Sequence, residues 1–393
     1  MGLREFLDRL KKEGSLQEIN RPISPIFEAP HYVYQDKRPV LFHDCNGMRA
    51  AMNVLNSRET LAKALGVTPD NIINKLTNTN FNGQIKHVDK SPMFEAKSKA
   101  CLSRLPIMKH FKKDGGSYIT AGIVVSKYKD MYNASIHRLM VVNDNTLAAR
   151  LVPPRHTYVM HKEAASKNEP LQVGIVIGVD PVTVFAASTR VPQGKEWEYA
   201  ASLKGEPIEL VKLDNGVEVP HGEIVLEGSI DPSEKVKEGP FVDITGSYDH
   251  IRPEPVIHLT NMMMRKDPIY HGILPGGNEH KLLMGVPFYG KSFDCGGLGQ
   301  PFTTCTDYSY TDAMALRDAG WTWNWDATSR VPWLRRSDGG MIVCYDDTES
   351  VGAKCDYVRT KQAAGLIIWE LTEDYRNGTS GLLEVVGRSF RTR

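Results

Sequence analysis

Residues Tyr118–Val152 read YITAGIVVSKYKDMYNASIHRLMVVNDNTLAARLV, and the fold is decided in this stretch. Ile119–Ser126, Arg138–Asn143 and Thr146–Val152 are strand-length runs rich in β-branched residues, separated by turn residues. Asn143-Asp144-Asn145 has hairpin-turn composition. The pattern continues through Val173–Ile177 and Val182–Ala187, which also read as strands, with a helix expected over Thr157–Lys167. Further on, Glu209–Lys212 and Glu223–Leu226 bracket the turn signal Asp214-Asn215-Gly216. Strands with one inserted helix imply an α+β unit built on a barrel or a curved sheet.

Toward the N-terminus, Leu3, Phe6, Leu7 and Leu10 recur at helical spacing, and Gly14 stands where a C-cap belongs. Leu16–Ile23 and Pro39–His43 read as strands and Arg58–Gly66 as a helix capped by Ser57. Residues 77–100 read as a polar loop. Toward the C-terminus the texture changes. Of 14 Met, 12 lie at or before Met284, whereas 5 of 6 Trp and 4 of 6 Cys follow it. Helices are expected over Tyr310–Asp318 and Ser350–Ala364, with strands at Met341–Tyr345 and Gly365–Trp369. The chain therefore reads as two segments of different composition.

Composition excludes several functions. The 393 residues carry a net charge of +1, which gives no electrostatic footprint for nucleic acid. No apolar run approaches the roughly 18 residues of a membrane span, and the charged first helix is unlike a signal peptide. Neither nucleic acid nor membrane is expected as a partner, and the expected location is the cytoplasm. Cys295, Cys305, Cys344 and Cys355 match no zinc spacing and are read as thiols, a disulfide pair being the alternative.

Spacing alone yields no site. His156, after Pro153-Pro154-Arg155, reads as a structural histidine, and Glu238–Asp243 as a turn with two solvated carboxylates. The motifs say more. Gly115-Gly116-Ser117-Tyr118-Ile119-Thr120, Tyr132-Asn133-Ala134-Ser135-Ile136-His137-Arg138, Pro154-Arg155-His156, Gly194-Lys195-Glu196-Trp197-Glu198-Tyr199-Ala200 and Glu238-Gly239-Pro240-Phe241 occur in an order and spacing that resemble the UbiD-type decarboxylases dependent on prenylated flavin. The resemblance runs from residue 1 to about Met284, and within the family it is to archaeal members that decarboxylate anhydromevalonate phosphate in isoprenoid synthesis. It implies an N-terminal α/β domain over 1–112 and a split β-barrel binding prenylated FMN over 113–284. It also implies that Asn133, His156 and Glu196 hold Mn2+ or a similar divalent cation against the cofactor phosphate, with K+ as a further ion. Ser135, Ile136, Ser188 and Arg190 would line the flavin, and Arg138, Glu238 and Asp243 would form the catalytic trio. The implied reaction is loss of CO2 from an α,β-unsaturated acid, Glu238 returning the proton, with a flavin prenyltransferase as cofactor supplier.

The remainder resembles a different family. Lys281–Phe293, Tyr345-Asp346-Asp347 and Ala364–Leu371 are similar to the closing strands and helices of glycoside hydrolase family 18 chitinases, which makes 285–393 a partial β/α-barrel-like segment. The carboxylate motif D-x-x-D-x-D-x-E that those enzymes need is not found in the sequence, so chitin hydrolysis is not expected. Trp369 is read as a core residue. The two resemblances meet at Lys281–Phe288. UbiD-type enzymes are homo-oligomers whose dimerising domain follows this point; here it is expected to be missing. Two readings stand beside the decarboxylase: an inactive chimera that at most binds cofactor, and a chitin-related hydrolase.

Overall fold

The computed structural model describes residues 2–189, 191–243, 247–276, 283–361, 363, 365–369, 371–376 and 378–390. The chain divides into two compact units, residues 1–277 and 278–393.

The first unit opens with the expected helix, Leu3–Lys12, whose Leu3, Phe6, Leu7 and Leu10 are buried. Gly14 follows at φ +67°, the left-handed conformation that ends a helix at low steric cost to glycine. A four-stranded sheet comes next. Gln17–Ile19 runs parallel to Val40–Cys45, which pairs antiparallel with Met48–Met52. Its fourth strand, Ile269–His271, comes from the far end of the unit and lies parallel to Met48–Met52. Ser57 caps the Arg58–Leu65 helix, its side chain accepting from the Thr60 N–H.

The large sheet has nine strands in the order Tyr118–Ile119, Leu139–Asn143, Thr146–Ala149, Arg252–Met264, Ile224–Glu238, Leu171–Ile177, Ile123–Tyr128, Met131–Ile136, with Ala96–Lys99 added to Arg252–Met264. All its pairings are antiparallel. Only three residues separate Tyr118–Ile119, at one edge, from Ile123–Tyr128 near the other, and two separate Met131–Ile136 from Leu139–Asn143. Such short links span about 15 Å at most, so the sheet curls until its two edges approach each other. Alternate residues feed two apolar clusters: Ile123, Val125 and Val176 enter one, and Val124, Val173, Ile175 and Ile177 the other. Burial on both faces explains why these strands read as nearly continuous apolar runs.

Three sequence expectations change. Val182–Ala187 is helical, within Pro181–Ser188. Asp180 caps it by accepting from the Thr183 N–H at 2.9 Å, and Pro181 occupies the first turn, so the start signal outweighs the β-branched composition. Within residues 77–100, Ile85–Val88 forms a strand parallel to Ile208–Lys212, and Ala96–Lys99 joins the large sheet. Asp214-Asn215-Gly216 closes a hairpin onto Glu218–Pro220 rather than onto the strand beginning at Ile224.

The second unit contains two adjacent parallel strands, Leu283–Pro287 and Gly365–Trp369. The Thr348–Thr360 helix lies between them in sequence and buries Val351 and Cys355 with Val286, Phe288 and Leu382. An antiparallel five-stranded sheet and the Tyr310–Asp318 helix are inserted after the first strand. The expected strand near Met341–Tyr345 is present as Ile342–Cys344, in that inserted sheet. Trp369 is 66% exposed, which overturns its reading as core. All six cysteines are free thiols.

Candidate active site

The segment from Met131 to Arg138 carries both halves of the site. Asn133 and Ser135 alternate along the edge strand and project to the same face. The buried Asn133 amide nitrogen donates to Ser135 Oγ at 3.0 Å and to Thr157 Oγ1 at 2.9 Å. Its two donors being used, Oδ1 is turned to His156, whose Nδ1 lies 3.1 Å away at the start of the His156–Ser166 helix. Glu196, the first residue of the Glu196–Lys204 helix, is buried and reaches the backbone N–H of Ala134, next to Asn133. Burial pushes its carboxyl up to about 7, against the pull of backbone N–H groups of Glu196, Ala134 and Gly194. No Lys or Arg forms an ion pair with it among the described residues.

His137 completes this end and was not singled out by sequence reasoning. Its Nδ1 faces the Arg150 carbonyl at 3.1 Å, which can only accept, so the ring proton sits there. Nε2 is then the acceptor facing Ser135 Oγ at 2.8 Å and Thr157 Oγ1 at 3.1 Å. Burial lowers the pKa of this ring and keeps it neutral. The signal available in sequence was adjacency: His137 precedes Arg138, and Thr157 follows His156.

At the other end, Arg138 forks onto Glu238, Nε to Oε1 at 3.0 Å and Nη2 to Oε2 at 2.8 Å. Glu238 is fully buried at the end of the long Ile224–Glu238 strand. The guanidinium stacks over Phe241 at 5.0 Å, and Phe241 packs on Tyr118 with ring centroids 4.2 Å apart. Burial, and then the charge of Glu238, raises the Tyr118 phenol above its ordinary range.

The second acid on Arg138 is Asp249, 2.9 Å from Nη2, a residue that sequence reasoning passed over. Burial works against its charge, but Arg138 and Arg252 prevail and hold it below the usual carboxylate range. Asp249 pairs in a short hairpin with Phe241, so its signal lay in the strand pairing and not in any motif. Asp243 lies exposed on the same loop, its backbone N–H donating to Ser247 O at 2.8 Å. Ile136 ends the edge strand, half-buried. Ser188 is at the end of the Pro181–Ser188 helix, its hydroxyl donating to the Val184 carbonyl at 2.6 Å. Arg190 lies outside the described residues. The structure thus gathers Asn133, Ser135, His156 and Glu196 at one end and Arg138 and Glu238 at the other. Asn133 and Arg138 stand five positions apart, one on the edge strand and the other on the two-residue link that follows it.

Comparison with known proteins gives matches in two families. Residues 86–278 match the 3-octaprenyl-4-hydroxybenzoate carboxy-lyase Rift-related domain, and residues 7–79 the N-terminal domain of the same family. Residues 255–374 match glycosyl hydrolases family 18. Anhydromevalonate phosphate decarboxylase of Methanosarcina mazei is 57% identical over 289 residues, which are 73% of this chain and 68% of that protein. The enzyme of the same name from Archaeoglobus fulgidus is 46% identical over 252 residues, 64% of this chain and 58% of that one. An evolved dimeric form of the UbiD-class enzyme HmfF from Pelotomaculum thermopropionicum, solved with prFMN, superposes with a TM-score of 0.68 at 32% identity, covering 71% of this chain and 69% of that one.

Proposed function

We propose, for a chain that belongs to the UbiD family of carboxy-lyases, that it removes CO2 from an α,β-unsaturated acid with prenylated FMN, and that anhydromevalonate phosphate is its substrate. The observation that carries the reading is the buried fork of Arg138 on Glu238, held on the same short segment as Asn133.

The donor set suits a divalent cation with a phosphate. Asn133 Oδ1 and His156 Nδ1 are 3.1 Å apart. Glu196 adds a buried carboxylate that, among the described residues, forms no ion pair with a Lys or Arg. Amide oxygen, imidazole and carboxylate make a mixed set appropriate to Mn2+ or a similar ion. In this reading these three residues hold the metal, and Ser135, Ile136, Ser188 and Arg190 line the flavin. The bound cofactor supplies the electron sink that makes loss of CO2 feasible.

The protein's own residues do the rest. Ser135 and Thr157 fix the Asn133 amide so that its oxygen, not its nitrogen, faces the metal position. Arg138 orients the Glu238 carboxylate and offers a guanidinium to the substrate carboxylate. Glu238, fully buried and out of water, is the group that returns a proton to the carbon losing CO2. Asp243, on the loop that follows, is the second acid of the proton path. Glycoside hydrolysis is not adopted, because the tail lacks the acid motif within this sequence.

The test is co-expression with a flavin prenyltransferase, followed by assay of CO2 release from anhydromevalonate phosphate. Glu238→Gln is expected to retain flavin and to lose decarboxylation. Turnover unchanged in that variant would refute the role of Glu238.

A further inference from the structure

The acid end of the site is balanced in charge. Arg138, Arg150 and Arg252 are ion-paired with Glu238, Asp249 and Glu254: Arg138 with Glu238 and Asp249, Arg150 with Glu254 at 2.7 Å, and Arg252 with Asp249 at 2.8 Å. Three cations against three carboxylates leave no surplus for a substrate that carries an anionic group besides its carboxylate.

Surplus positive charge lies next to this set, on the segment Met108-Lys109-His110-Phe111-Lys112-Lys113-Asp114. Lys112 and Lys113 are exposed, and neither forms an ion pair among the described residues. The segment is fastened to the loop after Glu238. The Gly115 N–H donates to the Pro240 carbonyl at 2.8 Å, and a Cβ at Gly115 would come within 2.2 Å of Gly239 O. The buried Asp114 carboxylate accepts from the Phe111 N–H at 2.8 Å and from the backbone of Val242. Lys113 is placed more closely still. Its backbone N–H reaches the Tyr248 hydroxyl, and its ammonium lies 5.9 Å from the centroid of the Tyr248 ring. Tyr248 adjoins Asp249, which is bonded to Arg138.

We propose that Lys112 and Lys113 form the phosphate-binding rim of this site. They would take the terminal phosphate of a phosphorylated unsaturated acid whose carboxylate lies against Arg138. The proposal rests on the decarboxylase reading and narrows its substrates to phosphorylated acids. Lysine suits the role: a point charge with rotatable donors on a flexible stem can meet a phosphate without a preset fork. An exposed rim is also screened by salt.

The test is calorimetric binding to the full chain loaded with prenylated FMN and Mn2+. The two ligands are anhydromevalonate phosphate and the same acid without its phosphate, titrated into wild type, Lys113→Gln and Lys112→Gln/Lys113→Gln. Wild type is expected to prefer the phosphorylated acid, and the preference to shrink as salt is raised. Lys113→Gln should weaken the phosphorylated acid alone, by about 10-fold, which is about 1.4 kcal/mol. The double variant should bind both acids about equally. A double variant that keeps the wild-type preference, or that weakens both acids alike, would overturn the rim and leave the decarboxylase reading standing. A loaded chain that binds neither acid would overturn that reading, and the rim with it.

Discussion

The amide of Asn133 has one orientation open to it, because both its N–H groups are taken by hydroxyl oxygens. Thr157→Val removes one acceptor while keeping the shape, so metal affinity is expected to fall about 10- to 100-fold with the fold intact. Mn2+ titration followed by manganese EPR checks this. Histidines predict a second effect. Burial lowers His110 to about 3 and His271 to about 4, so both are neutral in the folded protein at pH 5, whereas in the unfolded chain each takes up a proton below about 6.5. The unfolded state thus binds more protons across that window, and each ring's contribution to stability is lost as pH falls from about 6.5 toward its folded value. The slope is at most about 1.4 kcal/mol per pH unit for each ring. His271→Leu should flatten the urea-midpoint profile between pH 6.5 and 4. An unchanged slope would show that His271 is not held neutral. At this scale the sequence was legible through motifs only. Arg138 and Glu238 stand 100 residues apart, and nothing in their spacing joins them. Asp249 reaches Arg138 through a two-residue ladder that no local pattern announces.

Elements were read well where a local signal and burial agreed. Leu3–Lys12 has its apolar stripe and terminal glycine, and Tyr310–Asp318 has its Ser309 cap, so both helices lie where the sequence places them. Val182–Ala187 was misread because burial on every side erases the periodicity that tells helix from strand. What remains is the cap, and it can be tested. Asp180 holds the Thr183 N–H, the Thr183 hydroxyl and Lys204 Nζ. Asp180→Ala should cost about 1–2 kcal/mol in urea unfolding, and Asp180→Ser should recover much of it. Equal stability of all three would mean that burial alone fixes this helix. The segment around Gly115 makes a sharper case. A Cβ there meets the backbone of Gly239 first, at 2.2 Å, and the Met140 sulfur only at 3.3 Å. Gly115→Ala should therefore displace the Glu238 loop, lowering turnover while flavin content stays near wild type.

At the scale of the whole chain, each unit has what a cooperative fold needs. The first closes its opening sheet with its own last strand, Ile269–His271, and fills two large apolar clusters. The second has separate clusters around Phe288 and around Leu334. Part of this was legible in the skew of Met, Trp and Cys about Met284. The exact boundary between the units was not, because one stretch fits both patterns; residues 277–282 lie outside those described, and the two family matches themselves overlap over 255–278. Separate cores predict two unfolding transitions in calorimetry. The proposed ligands, prenylated FMN and Mn2+, engage residues of the first unit alone. At a hundredfold excess over its dissociation constant each adds about 2.7 kcal/mol to that unit. For a unit that spans residues 1–277 this is about 5 °C per ligand in its transition, with the other transition unmoved. Two transitions that rise together on adding cofactor would show the units to unfold as one.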